Sequence, residues 1–310
     1  MDLITHTAID NFVLNDNSTV VGKLCSYTSE NRAVYILGEK SVDLTVIYYF
    51  QEGGKEYRLS HNWDFQQQCM AQAITIDEQC FCWGVAAHLI ADGISHTQLI
   101  PAAIEKFRMP NLIIHPLLEK KFDSALALKF PELVEQTAHS MDALNGPKGD
   151  RYVQMIDDAL GANSMINVKD ELVKLKIAVS GSNFYNSQFN PSTAGSTWIF
   201  QGYYYVDKLT NFLAPYIGTV NFGEIDYYYE KSKEQTINTF NNWGSRYQLS
   251  PHGFDEISVA NQKTSSSLTI VFIGVLGLPI ILSFIKRNKA YLLLIPILFI
   301  LAVVGVYALL

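Results

Sequence analysis

Apolar residues recur at three- and four-residue spacing through the first part of the chain, most plainly in MAQAITIDEQCFCWGVAAHLIADGISHTQLIPAAIEKF at 70–107. That period matches the turn of an α-helix, and the strict alternation of a half-buried strand is scarce. The spacing predicts amphipathic helices with short connections from residue 1 to about 138. It predicts further helices over 151–160, 168–178, 197–217 and 224–243. Polar stretches at 145–150 (NGPKGD) and 180–196 (SGSNFYNSQFNPSTAGS) are predicted loops. The expected fold class is all-α. The helix at 197–217 carries a tyrosine-rich stripe (Tyr203, Tyr204, Tyr205, Tyr216), for which core or interface packing is the more frequent explanation.

The last part of the chain follows a different pattern. The run 268–285 has no charge, KRNK follows, and 290–310 is again uncharged and apolar. About 20 apolar residues suffice to cross a bilayer, so the pattern predicts a two-helix transmembrane hairpin over 268–310. Pro279 and Pro296 are tolerable within it. The expected organisation is a helical domain at 1–243, a polar linker at 244–267 containing Pro251 and Gly253, and the hairpin. Lys286, Arg287 and Lys289 prefer the cytoplasm, which places the domain outside. Residues 1–11 lack the features of a secretory signal, which favours a cytosolic domain. With the two rules opposed the side is left open, leaning cytosolic.

Composition narrows the function classes. With 310 residues, 48% hydrophobic and 17% charged, the chain is neither collagen-like nor disordered. The net charge of −7 conceals a net of −10 over 1–267, because 268–310 carries three basic residues and no acidic one. Binding to a polyphosphate backbone draws on clustered Lys and Arg, so nucleic acid is an unlikely partner. The four cysteines, Cys25, Cys69, Cys80 and Cys82, form no C-x-x-C pair. A chain of this length needs no disulfide scaffold, and they are expected to be small buried hydrophobes, with the redox compartment undetermined.

The candidate chemistry lies in His88-x3-Asp92-x3-His96. Helical positions four and eight residues apart deviate by only ~40° and ~80°, so these side chains share a face. His115-Pro116-Leu-Leu-Glu119 repeats the four-residue spacing, with Pro116 suited to a first helical turn. A lone histidine on a helix is more often a surface residue than a ligand. Here five of the seven histidines lie in the first 115 residues. Asp92 sits in the apolar context WGVAAHLIADGI, where a buried carboxylate is costly without a compensating charge. A divalent cation is the economical compensator. Imidazole and carboxylate ligands without thiolate fit zinc, with manganese or iron as alternatives. One tetrahedral zinc cannot use all five groups, so two or more ions are expected.

In order along the chain stand His6 (in Ile-Thr-His-Thr), Asp43 (in Leu37-Gly38-Glu-Lys-Ser-Val-Asp43), His61, His88, Asp92, His96, His115 and Glu119. Over about 1–125 this resembles the zinc-dependent phospholipase C family, which is related in fold to the fungal single-strand nucleases. The resemblance implies a multi-helix bundle with a cluster of two to three zinc ions. Asp43, His61, His88 and Asp92 would hold one; His96, His115 and Glu119 would hold the second. Asp92 would bridge to a third that His6 helps bind, a site completed in secreted members by the processed N-terminal amine.

The same resemblance suggests Asp43 as proton acceptor from the attacking water. The implied activity is hydrolysis of phospholipid, or a similar phosphodiester, on the glycerol side of phosphate, with the bilayer as partner. Alternatives are a nuclease or phosphomonoesterase using the same cluster, or a non-catalytic membrane protein with structural zinc. Asp64 competes with Asp43 as the upstream carboxylate, and His139 and His252 are expected at the surface.

Overall fold

The computed structural model describes residues 3–48, 55–101, 132–162, 164–173 and 222–244, with single positions 119, 122, 123, 126, 130 and 175. All belong to one compact unit. Every regular element among them is helical, as the hydrophobic spacing predicts. The principal helices are α1 (Leu3–Asn15), α2 (Val20–Cys25), α3 (Ser29–Ser41), α4 (Lys55–Ser60), α5 (Trp63–Gln72), α6 (Ile76–Ile94), α7 (Glu132–Ser140), α8 (Pro147–Leu160) and α9 (Phe222–Asn241). A 3₁₀ turn, Val42–Tyr48, continues α3, and a π-helical turn, Ser95–Leu99, continues α6.

Local chemistry sets the helix starts. Thr19, Thr28, Asn62 and Thr75 each use a side-chain oxygen to accept the backbone N–H three residues on, satisfying a donor that a helix end leaves without a partner. At α6 the device is reciprocal, with Glu78 returning to the backbone N–H of Thr75. Between Cys80 and Ile94 every residue of α6 except Trp83 is buried, which makes this the central helix of the bundle.

Helix α3 packs directly on α6, and two glycines allow it. A Cβ built on Gly38 would lie 1.9 Å from the Phe81 carbonyl oxygen, and one on Gly84 would lie 1.9 Å from that of Tyr35. The two backbones therefore touch where neither residue carries a side chain. The crossing brings the C-terminal end of α3 beside the second half of α6, where the candidate ligands lie.

The cysteines depart from expectation. They are buried, but paired: Cys25 with Cys80, and Cys69 with Cys82. Residues two apart on a helix point about 200° from each other. Cys80 and Cys82 therefore cannot join the same neighbour, and they tie α6 to α2 on one side and α5 on the other.

The predicted loop at 145–150 is also shorter than expected, because α8 begins at Pro147 and absorbs Lys148, Gly149 and Asp150. Proline suits a first helical turn, since its missing N–H is one the helix would leave without a partner. Gly146 before it and Gly161 after it adopt φ of 78° and 81°, which side-chain-bearing residues seldom reach. The predicted helix at 224–243 is present as α9, and 168–173 is helical. The predicted helix at 197–217, the loop at 180–196 and the hairpin at 268–310 lie outside the described residues. Among the described residues no helix is long and apolar enough to cross a membrane.

Candidate metal centre

Three helical segments deliver the site, each through residues four apart: His6 and Asp10 on α1, Glu39 at the end of α3 with Asp43 in the 3₁₀ turn that continues it, and His88 and Asp92 on α6. His61 enters from the connection between α4 and α5. The start of α1 is held from afar. Asp123, buried, accepts from the backbone N–H groups of Ile4 and Thr5 and from the Thr5 hydroxyl through one oxygen, at 3.0–3.1 Å. It thereby satisfies the first donors of the helix that carries His6.

The imidazoles converge through the same ring atom. His6 Nε2 lies 3.3 Å from Asp92 Oδ1, while His88 Nε2 and His61 Nε2 lie 3.1 Å and 3.7 Å from Asp92 Oδ2. His88 Nε2 and His61 Nε2 are also 3.7 Å and 3.8 Å from Asp43 Oδ1. Four donors around one tetrahedral zinc at ~2.0–2.1 Å stand ~3.3–3.4 Å apart. Asp43, His61 and His88 form one group of converging buried ligand atoms, and Asp92 Oδ2 lies 3.1 Å and 3.7 Å from the His88 and His61 imidazoles, so these groups can hold a divalent ion with only small adjustments. His6, stacked on His88 at 4.5 Å between ring centres, reaches the other oxygen of Asp92.

Burial distinguishes an inner and an outer side. His61, His88 and Glu39 are each 1% exposed, whereas His6, Asp43 and Asp92 are each 7% exposed.

The electrostatics without a metal are those of a cluster held together by protons. Burial opposes charge on His88, but Asp92 and Asp43 outweigh it and push the imidazole up to about 9. Burial likewise opposes charge on His6, and Glu39 and Asp92 raise its pKa well above the ordinary value. Against the cost of burial, His88, His96 and His6 hold Asp92 well below the usual carboxylate range. Asp43 is also lowered against burial, by His88 and His61. A divalent ion would replace these protons with a charge fixed at the same place.

Glu39 is the residue that sequence reasoning missed. It lies in Leu37-Gly38-Glu39, directly beside the motif that identified Asp43, and it is four residues before Asp43. One of its oxygens is 2.7 Å from His6 Nδ1 and 3.1 Å from His88 Nδ1; the other is 2.5 Å from the buried Lys40 ammonium. Asp10 is buried nearby, and burial together with the Glu39 charge raises its pKa well above the usual range.

Of the predicted ligands, His6, Asp43, His61, His88 and Asp92 are brought together. Asp64 is exposed on α5, so the geometry selects Asp43 over it. His96 is buried one turn beyond Asp92 and contributes to its low pKa. Glu119 is helical and half-buried, and His115 lies outside the described residues. Among the described residues the two groups of converging ligand atoms are His6, Glu39 and His88, and Asp43, His61 and His88; Asp92 adjoins both through its contacts with His6, His61 and His88, whereas His96 and Glu119 are in neither group. His139 is exposed and faces Asp142, as expected of a surface residue, and His252 lies outside the described residues. No protein-family model, curated protein or solved structure matches this chain.

Proposed function

We propose that the chain is a membrane-anchored, zinc-dependent phosphodiester hydrolase of the phospholipase C type, with residues 268–310 as its two-helix anchor. The observation that carries this reading is the convergence of three histidine Nε2 atoms on Asp43 and Asp92 in the buried interior of the bundle. Imidazole and carboxylate donors without thiolate suit zinc, and all four cysteines are engaged in disulfides. When bound, such ions supply Lewis acidity towards a phosphoryl oxygen and a water-derived nucleophile at neutral pH.

The chain's own residues do the rest. Asp43, on the more accessible side and held ionised, is the proton acceptor for the attacking water. Asp92 turns one oxygen towards His6 and the other towards His61 and His88, so a single carboxylate can serve two cation positions. His96, His115 and Glu119 would hold the second zinc, as the resemblance implies. The anchor favours phospholipid over a soluble substrate, because it holds the site beside a membrane at high local concentration.

The two disulfides favour folding in an oxidising compartment. They support the orientation that the basic turn Lys286-Arg287-Asn288-Lys289 already suggests, with the turn cytoplasmic and the helical domain on the opposite side. The proposed side differs from the cytosolic lean drawn from residues 1–11.

The test is elemental analysis of the purified full chain together with its turnover of choline, ethanolamine and inositol lipids in vesicles. At least two zinc ions per chain and release of a phosphorylated head group are expected, with both reduced in His88→Ala. Fewer than two ions, unchanged by His88→Ala or Glu119→Ala, contradict the proposal. Cleavage of single-stranded DNA but not lipid would instead make nucleic acid the substrate.

A further inference from the structure

Glu39 belongs to no part of the hydrolytic cluster as the resemblance describes it, yet it touches two of its histidines at once. We propose that Glu39 is the positioning residue of the centre: one carboxylate oxygen accepts the Nδ1–H of both His6 and His88, so that both Nε2 lone pairs face the metal. The inference rests on the metal-binding part of the reading above and adds a residue to it.

A neutral imidazole carries one proton, so whichever nitrogen is held as a donor leaves the other as the ligand. Glu39 Oε1 lies on the Nδ1 side of both rings, at 2.7 Å and 3.1 Å. On the opposite edge both Nε2 atoms meet Asp92, one on each of its oxygens. The rings are stacked within 10° of parallel, which lets one carboxylate at each end serve both. His61 follows the same rule with a different partner, its Nδ1 lying 3.1 Å from the Ser60 hydroxyl while its Nε2 faces Asp43 and Asp92. All three histidines thus present the same nitrogen to Asp92, His6 to one oxygen and His61 and His88 to the other.

His6, Glu39 and His88 could instead be a metal site in their own right, since their nearest atoms also converge. Two features oppose this. The Lys40 ammonium is 2.5 Å from the second oxygen of Glu39, so a cation bound at this carboxylate would be set against a fixed positive charge. A metal at Nδ1 would also turn both Nε2 atoms from ligands into donors and leave Asp43, Asp92 and His61 without two of their imidazoles. A carboxylate that accepts from the far nitrogen of a ligating histidine fixes the ring's tautomer and raises its basicity. Here a single glutamate does so for two rings, backed by Lys40. Its placement depends on the α3–α6 contact, since a Cβ on Gly84 would lie 2.8 Å from the Glu39 amide nitrogen.

The test is a nitrogen-15 imidazole correlation spectrum of the zinc-loaded full chain, followed by zinc affinity in chelator competition for wild type and Glu39→Gln. In the wild type, His6 and His88 are expected to carry their protons on Nδ1, with two low-field, slowly exchanging resonances. Glu39→Gln should move those two resonances, leave that of His61 in place, and weaken zinc binding roughly 10–100-fold at unchanged stoichiometry. The opposite tautomer in the wild type overturns the proposal whether or not the variant folds. So does a Glu39→Gln protein that binds zinc like the wild type, or one that loses a whole equivalent of metal, which would make Glu39 a ligand. A wild-type chain that takes up no zinc removes this inference together with the proposed hydrolase. Zinc uptake with an indifferent Glu39→Gln removes this inference alone.

Discussion

From Thr75 to Val85 the central helix is fixed by covalent and steric contacts: a reciprocal cap, two disulfides on opposite faces, and Gly84 against the α3 backbone. From His88 to Ile94 the same helix still buries Leu89, Ile90, Ala91 and Ile94 in the core, but on one face His88 and Asp92 meet ionisable groups from α1, α3 and the α4–α5 connection. The first half gains from burial and cross-linking. The second gathers like-charged carboxylates whose repulsion and desolvation must be offset by protons or cations. The difference teaches that the stapled half supplies the rigidity that the charged half cannot provide for itself. Breaking either half should therefore give distinguishable losses.

The largest loss should follow removal of the Cys25–Cys80 bridge. Its sequence separation of 55 against 13 for Cys69–Cys82 gives, on loop-closure grounds, a stability loss of about 4 against about 3 kcal/mol. Urea unfolding of Cys25→Ala/Cys80→Ala and Cys69→Ala/Cys82→Ala should preserve that order. Next comes Gly84→Ala, whose Cβ would collide with the Tyr35 carbonyl and the Glu39 amide and should cost about 3 kcal/mol or more. Because it also displaces Glu39, it should weaken zinc binding, which Thr75→Ala should not. A Gly84→Ala protein as stable as the wild type would mean that the helices do not touch there.

The charged half should respond to pH in a way the stapled half does not. With zinc removed, the raised His88 pKa stabilises the folded chain fully below the unfolded value of ~6.5. That contribution is lost as pH rises through about 9. Thermal unfolding of the metal-free chain should therefore show falling stability between these values, while His88→Ala flattens the slope. The zinc-loaded chain should show no such fall, because a metal needs its imidazoles unprotonated. The smallest effect is expected for Thr75→Ala, about 1 kcal/mol from loss of the helix cap, read as a shifted urea midpoint.

How far these halves were legible in the sequence differs for a physical reason. Periodicity exposes what is local: α6 itself, its cap, and the shared face of His88 and Asp92. Glu39 became meaningful only when Gly38 and Gly84 let α3 approach α6, a contact between residues far apart in sequence. Asp123, which holds the start of α1 from 118 residues away, had no local signal either. The disulfides do have one. Once 80–82 is read as helix, Cys-x-Cys places its two sulfurs on opposite faces, each in need of its own neighbour. The hydrophobic surroundings that made the cysteines look inert describe their burial correctly and say nothing of their pairing.

On the proposed reading, the Nε2 atoms of His6, His61 and His88 and the carboxylates of Asp43 and Asp92 ligate zinc. The zinc X-ray absorption spectrum of the purified full chain addresses it most directly. A shell of nitrogen and oxygen at ~2.0–2.1 Å with imidazole scattering behind it is expected. A sulfur shell at ~2.3 Å, or no zinc retained at all, would contradict it.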